Sequence, residues 1–280
     1  VWSPCEINLS TTNGAISEAN LYSNKLTASI TQISGGTDSR VVPGFYFDRT
    51  SYGSGLATFK VRFTPVSAGS YQYSTSSSLA GLNGQSGAFT CGAAVNLADG
   101  ETNPGFLRRD AAANPYSFVW DNSSLPVTHP FLWGETYYQI VNQARRNSDS
   151  DATWHTAVDN AKASKMKKIR LLVAPWNDVP FSTTDHSQLT EPFCTGTSAT
   201  ACEMANGALD FTRVDLDHFV ALDKVVHYLF NNGMAAEIII FRDPGLQAMF
   251  SSVNDQNKQY LRYVIARYAA YPNVIWSLSN

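Results

Sequence analysis

Four short apolar runs, PFLWGET (130–136), KIRLLVAP (168–175), AAEIIIF (235–241) and NVIWSLS (273–279), alternate with three stretches of helical period. This alternation leaves few folds open. The first helical stretch is ATWHTAVDNAKASKM (152–166). In the second, DLDHFVALDKVVHYLFNNG (215–233), Phe219, Leu222, Val226 and Leu229 follow a helical spacing and Gly233 is placed to cap the end. The third, NKQYLRYVIARYAAYP (257–272), is stopped by Pro272. Strands separated by helices in this way make parallel βαβ units with right-handed crossovers. Four such strands are half of an eight-stranded (β/α)8 barrel of the TIM type. An open, doubly wound sheet is the structural alternative, but no Gly-rich phosphate-binding turn follows the first run.

Residues 1–107 follow a different rule. LTASITQI, ATFKVRFTP, YQYSTS and GAFTC alternate apolar with polar residues at period two, and clusters of Gly, Ser, Asn and Pro separate them. No amphipathic helix is visible there. Short strands with turns about every ten residues predict an antiparallel β-sandwich. The expected organisation is therefore a β-sandwich over 1–107, a linker over 108–129, and an α/β region over 130–280 holding the first four βα units of a barrel.

Composition narrows the function. The chain has 280 residues, 44% of them hydrophobic, which is enough for substantial cores. A net charge of −3 gives no basic face for nucleic acid, and no apolar run approaches the roughly 20 residues of a membrane-spanning helix. The sequence opens at Val1 with neither an initiator Met nor a signal-peptide pattern, as a processed amino terminus would. Four cysteines allow three pairings. We favour Cys5–Cys91, tying the amino terminus to the end of the β region, and Cys194–Cys202, closing a Thr/Ser/Gly-rich loop. Neither pair has the spacing of a zinc or redox site. Two disulfides would place the protein in a secreted, extracellular or periplasmic compartment. Asn8 and Asn122 begin glycosylation-type triplets, which are too common to decide anything. His218 and His227 are not at metal-binding spacing, and no metal or cofactor is expected.

Several segments carry a family resemblance. PGFYFD (43–48), FKVRFTPVSAGSYQYSTSS (59–77) and LNGQSGAFTC (82–91) resemble the β-sandwich that precedes the barrel in apiosidase-like and related glycoside hydrolases of the retaining (β/α)8 clan. NPYSFVWDNSSLPVTHPFLWGETYY (114–138) is similar to that family's linker and first barrel strand. KIRLLVAPW, EIIIFRDP and YLRYVIARYAAYPNVIWSLSN are similar to the regions of its second, third and fourth strands. In that clan the fourth strand ends in Asn-Glu, the Asn binding a sugar hydroxyl and the Glu serving as general acid/base, while the nucleophile ends the seventh strand. The resemblance implies that Asn280 is that Asn, that the catalytic Glu belongs just after it, and that the nucleophile lies in a second half of the barrel. Retaining hydrolysis needs both carboxyls, about 5–5.5 Å apart, so these 280 residues alone are expected to show no turnover.

The other candidates are chosen for the carboxyl ends of the predicted parallel strands, where barrel sites are built. Glu135 and Trp133 fall at the end of the first strand. For Glu135, a substrate-hydroxyl acceptor and a structural partner of Arg170 are both open. Arg170, inside the second strand, needs a carboxylate partner if buried, and the resemblance gives it an electrostatic role beside the catalytic carboxylates. Trp176 follows that strand and could stack on a sugar ring. Arg242 and Asp243 end the third strand, as site residues or as a turn ion pair. His129, next to Pro130, is expected to be structural. Aromatic strand residues in the sandwich more often pack a core than bind sugar. The leading expectation is a secreted glycoside hydrolase acting on a polysaccharide or oligosaccharide. The alternatives are a non-catalytic carbohydrate-binding or adhesion protein, and a structural protein whose half barrel pairs with a second copy.

Overall fold

The computed structural model describes residues 1–12, 16–51, 54–93, 96–98, 100–110, 116–146, 152–174, 192–195, 209–241 and 254–279. The amino-terminal part contains β1 (Cys5–Thr11), α1 (Glu18–Ser23), β2 (Thr27–Ser34), β3 (Ser39–Ser51), β4 (Ser54–Phe63), β5 (Gly69–Ser76) and β6 (Ser86–Cys91). The six strands are antiparallel, in the order β1-β4-β3-β2-β5-β6. Period-two sequence becomes two-faced structure here: in β1, Ile7, Leu9 and Thr11 are buried while Glu6, Asn8 and Ser10 are exposed.

Strand β3 makes the sheet a sandwich. Its residues 39–43 pair with β2 and residues 44–51 pair with β4, so one strand serves both layers. At the changeover Gly44 donates its N–H to the Leu26 carbonyl at 2.9 Å, and a Cβ there would come within 2.5 Å of the Leu26 side chain. The layers face each other through aromatic residues, with the Phe63 ring 5.4 Å from Tyr71 and 6.4 Å from Phe89.

The two outer strands, β1 and β6, come together at Cys5 and Cys91. The sulfurs stand 4.0 Å apart as free thiols. The expected bond is therefore absent from this structure, because a disulfide needs about 2.05 Å. Burial, together with Cys5, pushes the Cys91 thiol up to about 12. Cys194 is disulfide-bonded; Cys202 lies outside the described residues.

A helix that the sequence reading did not anticipate, α1, is started by Ser17, whose hydroxyl accepts from Asn20 N–H at 3.3 Å. It buries Leu21 and Tyr22. The segment expected as linker holds a two-stranded ribbon, β7 (Leu107–Arg109) with β8 (Phe118–Trp120). Beside it His129 Nε2 lies 2.7 Å from the Asp110 carboxylate, a local polar link.

The second part runs β9 (Gly134–Thr136), α2 (Ile140–Arg146), α3 (Ala152–Ala163), β10 (Lys168–Leu172), β11 (Phe193–Thr195), β12 (Leu209–Val214), α4 (Leu216–Asn231), β13 (Ala235–Phe241), α5 (Asp255–Tyr268) and β14 (Val274–Ser279). Strands β14-β13-β10-β9 form one parallel sheet, and β11 pairs with β12 in an antiparallel insertion. Ile169, Leu171, Ile238 and Ile240 are buried on one face. Lys168, Arg170, Glu237 and Ser277 occupy the other, together with the buried Leu172 and Ile239. Charge on that second face fits a barrel interior and not a doubly wound sheet, whose two faces are both covered by helices. Antiparallel sandwich followed by parallel β/α units is thus the observed order. Among the described residues no helix is long and apolar enough to cross a membrane.

One ionic cluster joins the two parts. The Asp223 carboxylate on α4 accepts from Arg62 of β4 at 2.7 and 3.1 Å and from Arg267 of α5 at 2.9 Å twice. Arg62 also donates to the Arg267 carbonyl at 2.7 Å and to Glu6 at 2.7 Å. Burial alone would raise the Asp223 carboxyl, but Arg267 and Arg62 outweigh it and hold it down at about 2.

A second buried group anchors the carboxyl end of β10. His218 on α4 is fully buried, with Nε2 2.6 Å from the Val173 carbonyl. A carbonyl only accepts, so Nε2 carries the proton. Burial, then the nearby Arg145 charge, brings the His218 imidazole down to about 3. Arg145 pairs with Asp215, the residue that caps α4 through Asp217 N–H and His218 N–H.

Replacing Asp223 with Ala leaves the buried Arg267 guanidinium without a carboxylate and Arg62 with Glu6 alone, and is expected to cost about 3–5 kcal/mol in urea unfolding. Replacing Arg62, Asp223 and Arg267 together with Met, Leu and Met should cost far less. A single-variant loss below about 1 kcal/mol would remove the cluster from its structural role. The Asp223 contribution is complete above pH 3.8, its ordinary value, and is lost as pH falls towards 2.

His218 acts over a higher window. Its folded value lies below the ordinary 6.5, so stability falls as pH drops from 6.5 towards 3. The expected slope is about 1.4 kcal/mol per pH unit. Unfolding curves of the native protein and of His218→Gln between about pH 6 and 4 should differ by about that slope, and parallel curves would refute it. For the thiols, incubation with oxidised glutathione is expected to join Cys5 to Cys91, seen as a cross-linked peptide by mass spectrometry. Recovery of both as alkylated free thiols would show that the strands hold them apart.

Candidate functional site

The parallel sheet presents its charged face as a row set by register. Thr136 of β9, Arg170 of β10, Glu237 of β13 and Ile275 of β14 stand side by side. Parallel pairing puts matched residues on the same face, so residues chosen separately by each strand become neighbours. Glu237 Oε1 lies 3.2 Å from Arg170 Nε, and Glu237 Oε2 lies 2.5 Å from Lys168 Nζ. One carboxylate thus bridges two cations across β10 and β13. The three side chains are 16–30% exposed, so water screens them less than surface charges but does reach them.

This arrangement corrects two expectations. Arg170 has its carboxylate partner, but that partner is Glu237 and not Glu135. Glu135 pairs in register with Ile169, which puts it on the helix-side face, where it is exposed. Trp133 also changes place. Strand β9 begins at Gly134, so Trp133 precedes it at the amino end, where its carbonyl accepts from Lys167 N–H at 3.0 Å and its side chain is 42% exposed. Gly134, the first residue of the strand, lies directly against β10: a Cβ there would be 1.9 Å from the Lys168 carbonyl oxygen.

Trp176, Arg242, Asp243 and Asn280 lie outside the described residues. Of the seven substrate-binding candidates the structure therefore places Trp133, Glu135 and Arg170, and only Arg170 faces the charged interior. Glu237 and Lys168 were not singled out from sequence, although both carry a detectable mark. Glu237 is the one charged residue in AAEIIIF, and a charge inside a buried strand must meet an opposite charge on the neighbouring strand.

Chemically, the face offers a fixed carboxylate held by two cations, an arrangement suited to orienting polar groups of a bound molecule or to supporting another carboxylate electrostatically. Among the described residues no group of three or more His, Cys, Asp or Glu side chains is placed to hold a metal ion.

Comparison with known proteins agrees with this architecture. The first 78 residues match a family model described as a domain of unknown function, DUF5060. No curated protein matches the chain. Over 98% of its length the chain is similar to the crystal structure of a candidate glycoside hydrolase from Bacteroides vulgatus, with 24% identity and a TM-score of 0.71. It spans 48% of that protein. A family 5 glycoside hydrolase from the same species is more distant, at 14% identity and a TM-score of 0.39 over 67% of this chain and 34% of that one. The first of these likenesses shows a shared fold, a β-sandwich followed by parallel β/α units, with a protein twice as long.

Proposed function

We propose that this chain is the amino-terminal part of a secreted glycoside hydrolase acting on a polysaccharide or oligosaccharide by the retaining two-carboxylate mechanism. The observation that carries the reading is the fold shared along 98% of the chain with a candidate glycoside hydrolase, and this chain's own fourth parallel strand leads through WSLSN to Asn280. In the whole protein the residue after Asn280 is the general acid/base, and the nucleophile ends a later strand about 5–5.5 Å from it. Asn280 binds a hydroxyl of the sugar being cleaved. Arg170, held by Glu237, places a fixed positive charge in the barrel interior and favours the ionised form of a nearby carboxyl. Trp176, Arg242 and Asp243 contribute to the substrate-binding rim, and the exposed Glu135 and Trp133 lie outside this interior face.

The test is a reducing-sugar assay of the whole protein on a panel of plant, algal and microbial glycans. The expected result is hydrolysis of at least one, with the product's anomeric configuration retained by NMR. Replacing the carboxylate after Asn280 with its amide should lower kcat by about 10²–10⁴-fold. No product from any glycan, inversion at the anomeric carbon, or full activity in the amide variant would each overturn the reading.

A further inference from the structure

A groove of about 480 Å³ opens where the sandwich meets the second part of the chain. Its walls come from three elements: α1 with the turn after it, β12, and the first two turns of α5. Strand β12 leads into the start of α4, and α5 begins after β13, so both belong to the carboxyl end of the parallel sheet. Barrel enzymes build their sites at that end. The sandwich therefore contributes one wall of a groove that flanks the proposed active site.

The lining has a definite charge. Lys25, Lys258 and Arg262 face it against a single carboxylate, Asp255. Lys258 is held by Asp255 at 3.3 Å. Lys25 and Arg262 are exposed, and among the described residues neither has an ion-pair or hydrogen-bond partner for its side chain. Two unpaired cations at one groove stand out in a chain whose net charge is −3. The groove also has the features of a saccharide site. Phe211, partly exposed and braced edge-on by Phe193 at 5.2 Å, offers an aromatic surface. Tyr22 forms the inner wall, and its buried hydroxyl has no hydrogen-bond partner among the described residues.

We infer that this groove is a subsite for an acidic sugar unit, whose carboxylate or sulfate is held by Arg262 and Lys25 while its ring lies against Phe211. The inference deepens the glycoside hydrolase reading and rests on it for the class of ligand. Arg262 can meet the anion with two parallel N–H donors, and Lys25 adds a point charge. The volume suits one or two sugar rings, so the subsite would recognise a unit next to the one cleaved.

The experiment is calorimetric titration of the whole protein with three oligosaccharides of equal length: an oligogalacturonate, a sulfated galactan oligomer and a neutral cello-oligomer. At least one acidic ligand should bind about tenfold or more tightly than the neutral one, with the advantage shrinking as salt is raised. The double variant Lys25→Ala/Arg262→Ala, at two exposed positions that the fold tolerates, should bring acidic and neutral ligands to similar affinity. Preference for the uronate or the sulfate arm identifies the anion. Equal binding of acidic and neutral ligands by the native protein, or an unchanged preference in the double variant, overturns the inference. Acidic-ligand binding lost in the double variant but unaccompanied by hydrolysis keeps the subsite and removes the hydrolase reading. Hydrolysis of a glycan by a native protein that binds acidic and neutral oligomers equally does the reverse.

Discussion

The carboxylate of Asp223, gripped by two arginines from different parts of the chain, sets the geometry on which the rest depends. Arg62 comes from the sandwich, Asp223 and Arg267 from the helices that cover the parallel sheet. Glu6, which also pairs with Lys60, supplies a second carboxylate to Arg62, and the guanidinium of Arg267, fully buried, is surrounded by the rings of Phe45, Phe47, Phe219 and Tyr263. Two apolar faces can slide against each other at small cost, whereas four directional hydrogen bonds to one carboxylate cannot be kept after a shift of a few ångströms. The cluster therefore specifies one docking of sandwich on helices. Around it Tyr263 donates to the Tyr46 carbonyl at 2.8 Å and Gln259 to the Tyr22 carbonyl at 2.7 Å, bonds that require the same docking.

That docking reaches the carboxyl end of the parallel sheet by a short physical route. Helix α4 carries both Asp223 and His218, so the face that meets the sandwich and the group that holds the Val173 carbonyl are parts of one rigid element. Helix α5 carries Arg267 near its end and the lining of the groove near its start. An accessory sandwich that merely hung from the parallel β/α part would need none of these bonds. Here it is a wall of the molecule, and its α1 lies beside the carboxyl-end connections of the sheet.

The large divisions of the fold were legible because they rest on periodicity. Period-two alternation in residues 1–107 and helix–strand alternation after residue 130 both record which face of each element is dry. Helices α3 and α4 and strands β10, β13 and β14 fall inside the stretches expected for them, and α5 starts two residues before its expected stretch of 257–272. Shorter elements escaped. Helix α1 has six residues, fewer than two turns, too few for a periodicity to emerge, and it is held by its Ser17 cap and by burial of Leu21 and Tyr22. Strand β9 has three residues, so the expected run of seven misplaced Trp133 by treating it as part of the strand. Within the site, Arg170 could be recognised as a buried cation in need of a partner, but Glu135 and Glu237 were equally available in the sequence. Register alone separates them, since it places Glu237 beside Arg170 and Glu135 on the opposite face.

By itself the sequence determined the order of the two parts, the faces of their longer strands and helices, and the scarcity of charge that makes each buried ion informative. These follow from local hydrophobic spacing, which every segment carries on its own. Only the tertiary structure decided that Glu237 partners Arg170, that Asp223 serves both Arg62 and Arg267, that Cys5 and Cys91 face each other at 4.0 Å, and that Lys25 and Arg262 share a groove. Each of these pairs joins residues from separate elements, in most cases far apart in the chain. Such neighbours are created by strand register and helix docking, and no short-range pattern encodes either.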